Sequence, residues 1–580
     1  MNLKEENKRI NRPWIKYYAK SSLADLEYFE GTMFDAFKST ATKYPKAVAI
    51  DYMNVKFSYA QLYKDVILYA NILKSYNISK GDRITICLPN IPQAVILFYA
   101  VLCLGAQANM IHPLSSGNEI EYCVNLSKSK LLFVFDAFAN KVTDINCPTL
   151  QKIVYTGAAE MLPFYMRAAF YISQGKNIKA PMESIKICSL KTFFKEAQIK
   201  EFSDIDCVHD RDVQNTDTAA ILYSGGTTGT QKGIMLSHLN FNALATQTAR
   251  NGTDRIDIGD KMLAVLPMFH GFGLGVCIHT AIMYGMTIIL VPRFNADSFA
   301  NLLLKKKPSF IAGVPTLYEA LLRNDRLKNV DFSKAKGIFA GGDTLPYDVK
   351  IRFDEELKKH NSKVLLREGF GLTECVTASA LTPSSTYKKG SVGIPYSDTF
   401  YKIVEPETET ELSYGEDGEI CISGPTVMNG YLDNPEETAR VLKKHKDGRT
   451  WLHTGDIGFM DEEGFIYFKS RLKRMIKCSG YSVYPSQTEE IINSHEAVSL
   501  SCVIGVHDDY KMNKLKAFIV LKDGFEPNEE TKNSIAHYCR KNIATYALPK
   551  EFEFRDNLPL TKVGKVAYTI LEKEEMTKNV

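Results

Sequence analysis

The sequence lacks any CxxC pair, and none of its 12 cysteines stands with a histidine at metal-ligand spacing. They are scattered singly, so a dense secreted disulfide scaffold is a poor fit, a reducing cytoplasm a better one, and packing their expected role. Long hydrophobic runs are also missing. The longest, Ile96 to Ile111, is broken by Gly105, Gln107 and Asn109 and falls short of the ~20 residues that cross a bilayer. No transmembrane helix is expected. Charge of one sign is scarce, with a net +4 over 580 residues. With no basic stripe carrying interleaved aromatics, there is no case for nucleic acid. The stretch Met1 to Arg9 is charged without an apolar core, so no signal peptide is expected. Short-period repeats and low-complexity tracts are absent.

What is there is an ordinary globular composition, 45% hydrophobic and 24% charged. The length exceeds the ~250 to 300 residues at which single cores split, so two or more domains are expected. One stretch organises the rest: Tyr223-Ser-Gly-Gly-Thr-Thr-Gly-Thr-Gln-Lys232-Gly233. It follows the apolar run Ala219 to Leu222 and precedes Ile234-Met235-Leu236, so a buried strand enters a loop of small residues. Glycines admit a ligand to the backbone, hydroxyls and N–H groups line the loop, and a lysine brings positive charge, which together suit polyphosphate. No glycine stands five before a Gly-Lys-Ser/Thr, so this is not a Walker A loop. The alternative is a plain glycine-rich turn between two strands.

Along the chain, Thr32 to Tyr44 reads as an amphipathic helix, and Val48 to Ile50 with Val55 to Phe57 as a hairpin. Ser58 is a candidate N-cap. Ile84 to Leu88 begins a strand, turn, helix rhythm that implies α/β architecture with parallel strands. The segment Thr156 to Asp217 fits that rhythm poorly. Its Leu162-Pro-Phe-Tyr-Met-Arg-Ala-Ala-Phe-Tyr-Ile172 stretch is expected to pack on its own domain, with a membrane-surface helix as the alternative. Met268 to Gly275 reads as a glycine-rich loop lining an apolar pocket, and Gly337 to Gly342 as a strand ending in a Gly-Gly-Asp343 turn. Glu368 to Glu374 offers an aromatic face, a hydroxyl and a carboxylate. Trp451 to Gly458 places Asp456 on a tight turn. From Gly480 onward the remaining residues suffice for one small domain, which closes with a lysine-bearing turn around Lys565.

These stretches, in this order from about Thr32 to Tyr568, resemble the adenylate-forming superfamily of acyl-CoA synthetases, nonribosomal adenylation domains and beetle luciferases. The resemblance implies a large N-terminal portion of two α/β subdomains plus a distorted β-barrel, followed by a small mobile α+β C-terminal domain, with the active site between them. On that pattern residues 1–30 form a surface segment, 31–472 the AMP-binding domain and 473–580 a lid that turns about Lys473. The implied reaction joins ATP to a carboxylic acid, releases pyrophosphate, and transfers the acyl group of acyl-AMP to CoA, with Mg2+ as cofactor.

Carried over residue by residue, Thr227, Thr228 and Lys232, in a loop with Ser224, Gly225, Gly226 and Gly229, hold the β- and γ-phosphates. Gly341, Glu368, Gly369 and Gly371 frame the adenine, on which Phe370 stacks where relatives have tyrosine. Thr373 contacts the α-phosphate, Glu374 with Thr228 binds Mg2+, and Asp456 accepts the ribose hydroxyls with Arg471 in support. Lys565 reaches the α-phosphate and the substrate carboxylate, and Lys477 serves the adenylate or the thiol tunnel. His270, Phe272, Gly273 and Gly342 line the acyl pocket, His270 also standing among the catalytic group. The sequence departs from the pattern at Ser470, Gln487 and Gln231, the last replacing a proline and making the loop less stiff.

Gly225-Gly226 resembles the fatty acyl members, so a medium- or long-chain fatty acid is the expected substrate, with an aryl or bile-type acid next. An enzyme loading a separate carrier protein is a neighbouring reading. A non-catalytic sensor belongs to another class and would have lost Lys565, Glu374 or Asp456. The expected state is a cytoplasmic monomer or homodimer, with peripheral membrane contact as the alternative.

Overall fold

The computed structural model describes residues 11–19, 22–173, 178, 180–197, 212–225, 231–293, 295–474, 476–478, 481–483, 485–508, 512–543, 547–561 and 566–578. The chain divides into two compact units. The first is Met1–Tyr401 with Ile422–Leu452 and Glu463–Phe465; the second is Lys402–Cys421 with His453–Glu462 and Ile466–Val580.

Two mixed sheets build the first unit. One runs, in spatial order, Gly430–Tyr431, Gln231–Ser237, Thr218–Gly225, Gln107–Met110, Arg83–Cys87, Leu131–Phe135, Lys152–Thr156 and Ile187–Ser189. The strands from Thr218–Gly225 to Ile187–Ser189 are parallel, and the first two are antiparallel additions. In the other, Leu366–Phe370, Gly337–Ala340, Phe310–Gly313, Lys261–Ala264, Thr287–Leu290 and Val48–Tyr52 are parallel neighbours. Short antiparallel strands close its edges, among them Val55–Ser58, so the expected hairpin is present.

Local signals in the sequence place the helices between these strands. Thr32 accepts from Asp35 N and Asp35 answers on Thr32 N, a capping box that starts Met33–Lys43. Ser58 caps Tyr59–Ser75 through Gln61 N. Pro92 opens Pro92–Cys103, whose twelve residues are all buried, as an apolar helix between sheets must be. The N-terminal stretch is tied down as well, because Trp14 is buried and packs over Gly464. Ten cysteines, from Cys87 to Cys539, are buried thiols in no disulfide, in keeping with a packing role.

His279 lies in this core, its Nδ1 bonded to the Tyr99 hydroxyl at 2.9 Å and its Nε2 to Asn242 at 2.8 Å. Burial lowers its pKa from 6.5 to about 3. Between those values the unfolded chain binds a proton that the folded chain refuses, so stability rises with pH across that window and is lost as pH falls. We expect His279→Gln to flatten the pH dependence of unfolding between pH 6 and 4 by up to ~1.4 kcal/mol per unit, read from urea midpoints.

Two expectations need correction. Of the stretch Met268 to Gly275 only Met268 to His270 form a turn; Phe272–His279 is a π-helix that runs into Thr280–Met283. Its glycines serve close packing, since a Cβ on Gly273 would lie 2.1 Å from the Pro267 carbonyl oxygen. The helix Phe164–Ser173 does not pack into its domain, because none of its residues is buried.

In the second unit, Val498–Asp508 and Met512–Leu521 pair antiparallel and Glu551–Phe554 adds in parallel. Alternate residues feed two faces. Val503 and Ile519 meet Ile492, Ile535 and Cys539 on one, and Cys502, Ile504 and Phe518 meet Leu558 and Leu571 on the other. The helices expected near Gln487 and from Glu529 to Asn542 are Pro485–Asn493 and Glu529–Asn542. Strands Thr450–Met460 and Ile466–Arg471 pair antiparallel in a five-stranded sheet that also holds Gly418–Ser423. No helix among the described residues is long and apolar enough to cross a membrane.

Candidate active site

The glycine-rich loop is the tip of a hairpin. Thr218–Gly225 and Gln231–Ser237 pair antiparallel, with Ser224 opposite Lys232 and Gly225 opposite Gln231; Gly226, Thr227, Thr228 and Gly229 lie outside the described residues. Ala219 to Leu222 are fully buried, which fixes this as a central strand. Side chains then brace both stems. The Tyr223 hydroxyl donates to Asn109 Oδ1 at 2.7 Å and to the Cys123 carbonyl at 3.2 Å. Gln231 accepts from the Cys123 thiol at 3.0 Å, and its carbonyl from the Tyr122 hydroxyl at 3.2 Å. The stiffness that proline would give is thus replaced by side-chain bonds.

Lys232 and Glu374, both singled out in the sequence, meet at a residue that was not. The Tyr431 hydroxyl donates to Glu374 Oε1 at 2.9 Å, and Lys232 Nζ lies 5.0 Å from the centre of the Tyr431 ring. The two-residue strand Gly430–Tyr431 pairs with Ile234 and Met235, and Met428 N donates to the Glu374 carbonyl at 2.9 Å. Burial raises the Tyr431 pKa far above its ordinary value, and the adjacent Glu374 adds to the shift. Lys232 is ion-paired with Glu437, which Arg440 also holds at 2.6 and 2.8 Å. Arg440 first, then Lys232, keep the Glu437 carboxyl at about 2. No sequence signal marked Tyr431 or Glu437, which stand roughly 200 positions from the loop and reach it through strand pairing.

Beyond Leu366–Phe370 the chain is tightly constrained. Glu368 is buried and accepts from Leu345 N at 3.0 Å. Phe370 is half-buried, Thr373 begins the short turn Thr373–Cys375, and a Cβ on Gly371 would lie 2.5 Å from the Thr377 backbone. Val376 and Thr377 follow with φ of +53° and +67°. Two successive β-branched residues in the left-handed region cost on the order of 1–3 kcal/mol each, a strain that gathers at functional sites.

Beside them opens a narrow cleft of about 20 Å3, room for about one water-sized group. Phe272 and Val276 of the π-helix, Phe339, Gly341, Gly369 and Leu381 line it, together with Thr377 and Tyr396, and no lining residue is charged. Of the expected pocket residues Phe272 is there. His270, Gly273 and Gly342 are not among the lining residues: His270 Nδ1 accepts from Phe272 N at 3.3 Å, Gly273 packs on Pro267, and Gly342 turns the chain after the strand. Gly341 and Gly369, expected at the adenine, border this cleft. The signal for its other walls was hidden in strand ends, where buried apolar residues read as core.

In the second unit Asp456, 1% exposed, faces Arg471 across the antiparallel ladder, with Arg471 Nε 2.7 Å from Asp456 Oδ1. Asp456 lies inside the strand Thr450–Met460 and not on the tight turn expected, because Leu452 and Asp456 are both paired in the ladder; the strand before it is held from behind. Gly455, at φ +68°, donates its N–H to Glu419 Oε1 at 2.9 Å, and His453 Nδ1 bonds Glu419 Oε2 at 2.9 Å. Burial opposes ionisation of Glu419, yet these partners hold its pKa below the ordinary value. Cys421 completes a trio of potential metal donors within 4.8 Å, but both Glu419 oxygens are engaged, so the trio is an orienting network. Lys473 falls in the turn Leu472–Arg474 and Lys477 in Ile476–Cys478. Lys565 lies outside the described residues.

The family model described as AMP-binding enzyme matches residues 37–432, and the AMP-binding enzyme C-terminal domain matches 487–565. A long-chain-fatty-acid–CoA ligase of Bacillus subtilis is 33% identical over 97% of this chain and 98% of its own. A probable 4-coumarate–CoA ligase of Dictyostelium discoideum is 30% identical over 85% of this chain and 86% of its own. Among solved structures, an anthranilate CoA ligase bound to anthranoyl-AMP superposes with TM-score 0.81 at 23% identity, over 97% of this chain and 100% of that one. A fatty acyl CoA synthetase of Mycobacterium tuberculosis does so with 0.69 at 25%, over 94% and 99%.

Proposed function

The chain belongs to the AMP-binding enzyme family, and on that premise we propose that this acid–CoA ligase activates a medium- or long-chain fatty acid with ATP. The observation that carries the substrate class is the uncharged cleft between the π-helix and the strand ends. An alkyl chain entering between these residues would leave no buried charge unpaired.

In the first half-reaction a carboxylate oxygen of the acid attacks the α-phosphorus of ATP, and the bond to the pyrophosphate oxygen breaks. Thr227, Thr228 and Lys232 hold the β- and γ-phosphates. Phe370 stacks on adenine within the frame of Gly341, Glu368, Gly369 and Gly371. Thr373 contacts the α-phosphate, Asp456 and Arg471 hold the ribose, and Lys565 neutralises charge on the α-phosphoryl oxygens. Glu374, with one oxygen on a neutral phenol, is a hard donor of the kind Mg2+ takes together with phosphate. Glu374 and Thr228 would hold that ion, which supplies further neutralisation of the phosphoryl oxygens. In the second half-reaction the CoA sulfur attacks the acyl carbon and the carbon–oxygen bond to AMP breaks. The hinge is Lys473, with residues 473–580 turning against 31–472 to replace Lys565 by the thiol path near Lys477.

Lys232 reaches the phosphates only by leaving Glu437. Glu437→Gln is expected to lower KM for ATP by up to about fivefold with kcat nearly unchanged, since a partly exposed pair is worth about 0–1 kcal/mol. Initial rates at varied ATP measure it. The substrate class is tested by pyrophosphate release over acetate, octanoate, palmitate, benzoate, coumarate and a bile acid, each with and without CoA. A maximum at one fatty acid with CoA-dependent turnover supports the reading; a maximum at coumarate or benzoate moves it to the aryl acids, and CoA independence to a carrier-loading enzyme.

A further inference from the structure

Opposite charges brought together away from bulk water pair directly unless something holds them apart. Lys232 and Glu374 meet at one side chain, yet among the described residues no ion pair joins them. Lys232 pairs with Glu437, and the Glu374 carboxylate has the Tyr431 hydroxyl on Oε1 at 2.9 Å and no cation. Tyr431, 6% exposed, meets the two charges with different parts of one ring. Its face, where the π electrons concentrate negative potential, has Lys232 Nζ 5.0 Å from its centre. Its hydroxyl donates to the carboxylate.

The backbone fixes this ring closely. Tyr431 N donates to Thr438 Oγ1 at 2.9 Å, Leu432 N to the Gly233 carbonyl at 2.7 Å, and Asn429 N to the Met235 carbonyl at 2.9 Å. Gly430 has φ of +135°, and a Cβ there would stand 2.8 Å from Thr438 Cγ2. Glycine is what lets the chain come this close to the helix Pro435–Val441. That helix supplies Thr438 for the Tyr431 backbone and Glu437 for Lys232, so ring and lysine are held from one element.

We propose that Tyr431 is a positioning residue that keeps Lys232 and Glu374 from neutralising each other. The lysine then stays available to phosphate and the carboxylate to its divalent cation, a role that rests on the assignment of those two residues made above. The pair with Glu437 is one Lys232 can leave, because Arg440 remains on that carboxylate at 2.6 and 2.8 Å. A direct pair with Glu374 would instead occupy the oxygens that the cation needs.

The test measures binding of Mn2+, which takes the same oxygen donors as Mg2+, to the full chain saturated with α,β-methylene-ATP, from the paramagnetic resonance signal of the free ion. Tyr431→Phe keeps the face and removes the hydroxyl, and Mn2+ affinity should fall about threefold to tenfold. Tyr431→Leu removes both, lets Lys232 reach Glu374, and should cost about 30-fold or more. On the Lys232→Met background, where no cation has to be held apart, Tyr431→Leu should cost no more than Tyr431→Phe does. A purely structural role produces no such coupling. Equal loss from Tyr431→Leu in the two backgrounds overturns the proposal, and so does unchanged affinity in Tyr431→Phe, the variant that keeps the ring and its packing. Glu374→Gln separates this result from the wider reading. It should lose Mn2+ affinity in its own right; if it does not, the assignment of the cation to Glu374 fails and the proposal with it.

Discussion

Gly341→Leu is expected to lower kcat/KM for palmitate by about 100-fold or more while leaving that for butyrate within a few fold. The reason is geometric. Gly341 lies on the wall of the cleft, and a Cβ there would stand 3.2 Å from Phe272 Cε1 and 3.3 Å from the Gly369 carbonyl oxygen. The first methylene of leucine already presses on Phe272, so the rest of the side chain extends into the cleft itself. A long alkyl chain then meets a plug, and a short one stops before it. Because Gly341 also frames the proposed adenine site, KM for ATP is measured with butyrate in the same variant. A twofold change or less separates a blocked acyl cleft from a damaged nucleotide site. Equal loss for both acids would contradict the assignment of the cleft to the acyl chain.

Lys565→Ala is expected to reduce acyl-AMP formation by about 10²- to 10³-fold, the usual consequence of deleting one fixed electrostatic group from a charge-gathering transition state. Thioester formation from supplied acyl-AMP should be largely spared, since attack of a thiol on a mixed anhydride requires no charge at the α-phosphate beyond what binding already provides. The two half-reactions are measured separately, the first as acyl-AMP formed in a single turnover without CoA, the second from synthetic acyl-AMP and CoA. Equal loss in both would remove the adenylation role from this lysine and make it a structural residue of the lid.

The capped helices, the parallel strands and the buried strand before the glycine-rich loop were legible because each is dictated by neighbours in the chain. Thr32 and Ser58 satisfy N–H groups three positions away, and Ala219 to Leu222 are apolar without a break, as a strand covered on both faces must be. The stretch from Phe272 was misread for an identifiable reason. Gly273 and Gly275 suggest a flexible loop, but what demands them is the nearness of Pro267 and of Leu244, which only the fold creates. Helix Phe164–Ser173 was misread because apolar residues at helical spacing normally mark a core face. That rule says which residues share a side and nothing about whether the side is covered. At the site, Lys232 and Glu374 carry their chemistry in local motifs, and the structure brings both to Tyr431. Tyr431 and Glu437 arrive from a distant segment by pairing of Gly430–Tyr431 with the loop's second strand. Strand partners far apart in sequence leave no periodic mark on either.

The most direct test of the central claim is exchange of labelled pyrophosphate into ATP, with palmitate present and CoA absent. The account predicts exchange that requires both palmitate and a divalent cation and falls to background in Lys565→Ala, because acyl-AMP formation is reversible and needs no thiol. Exchange that is absent with palmitate and with every other acid, although the protein is folded and binds ATP, would contradict it.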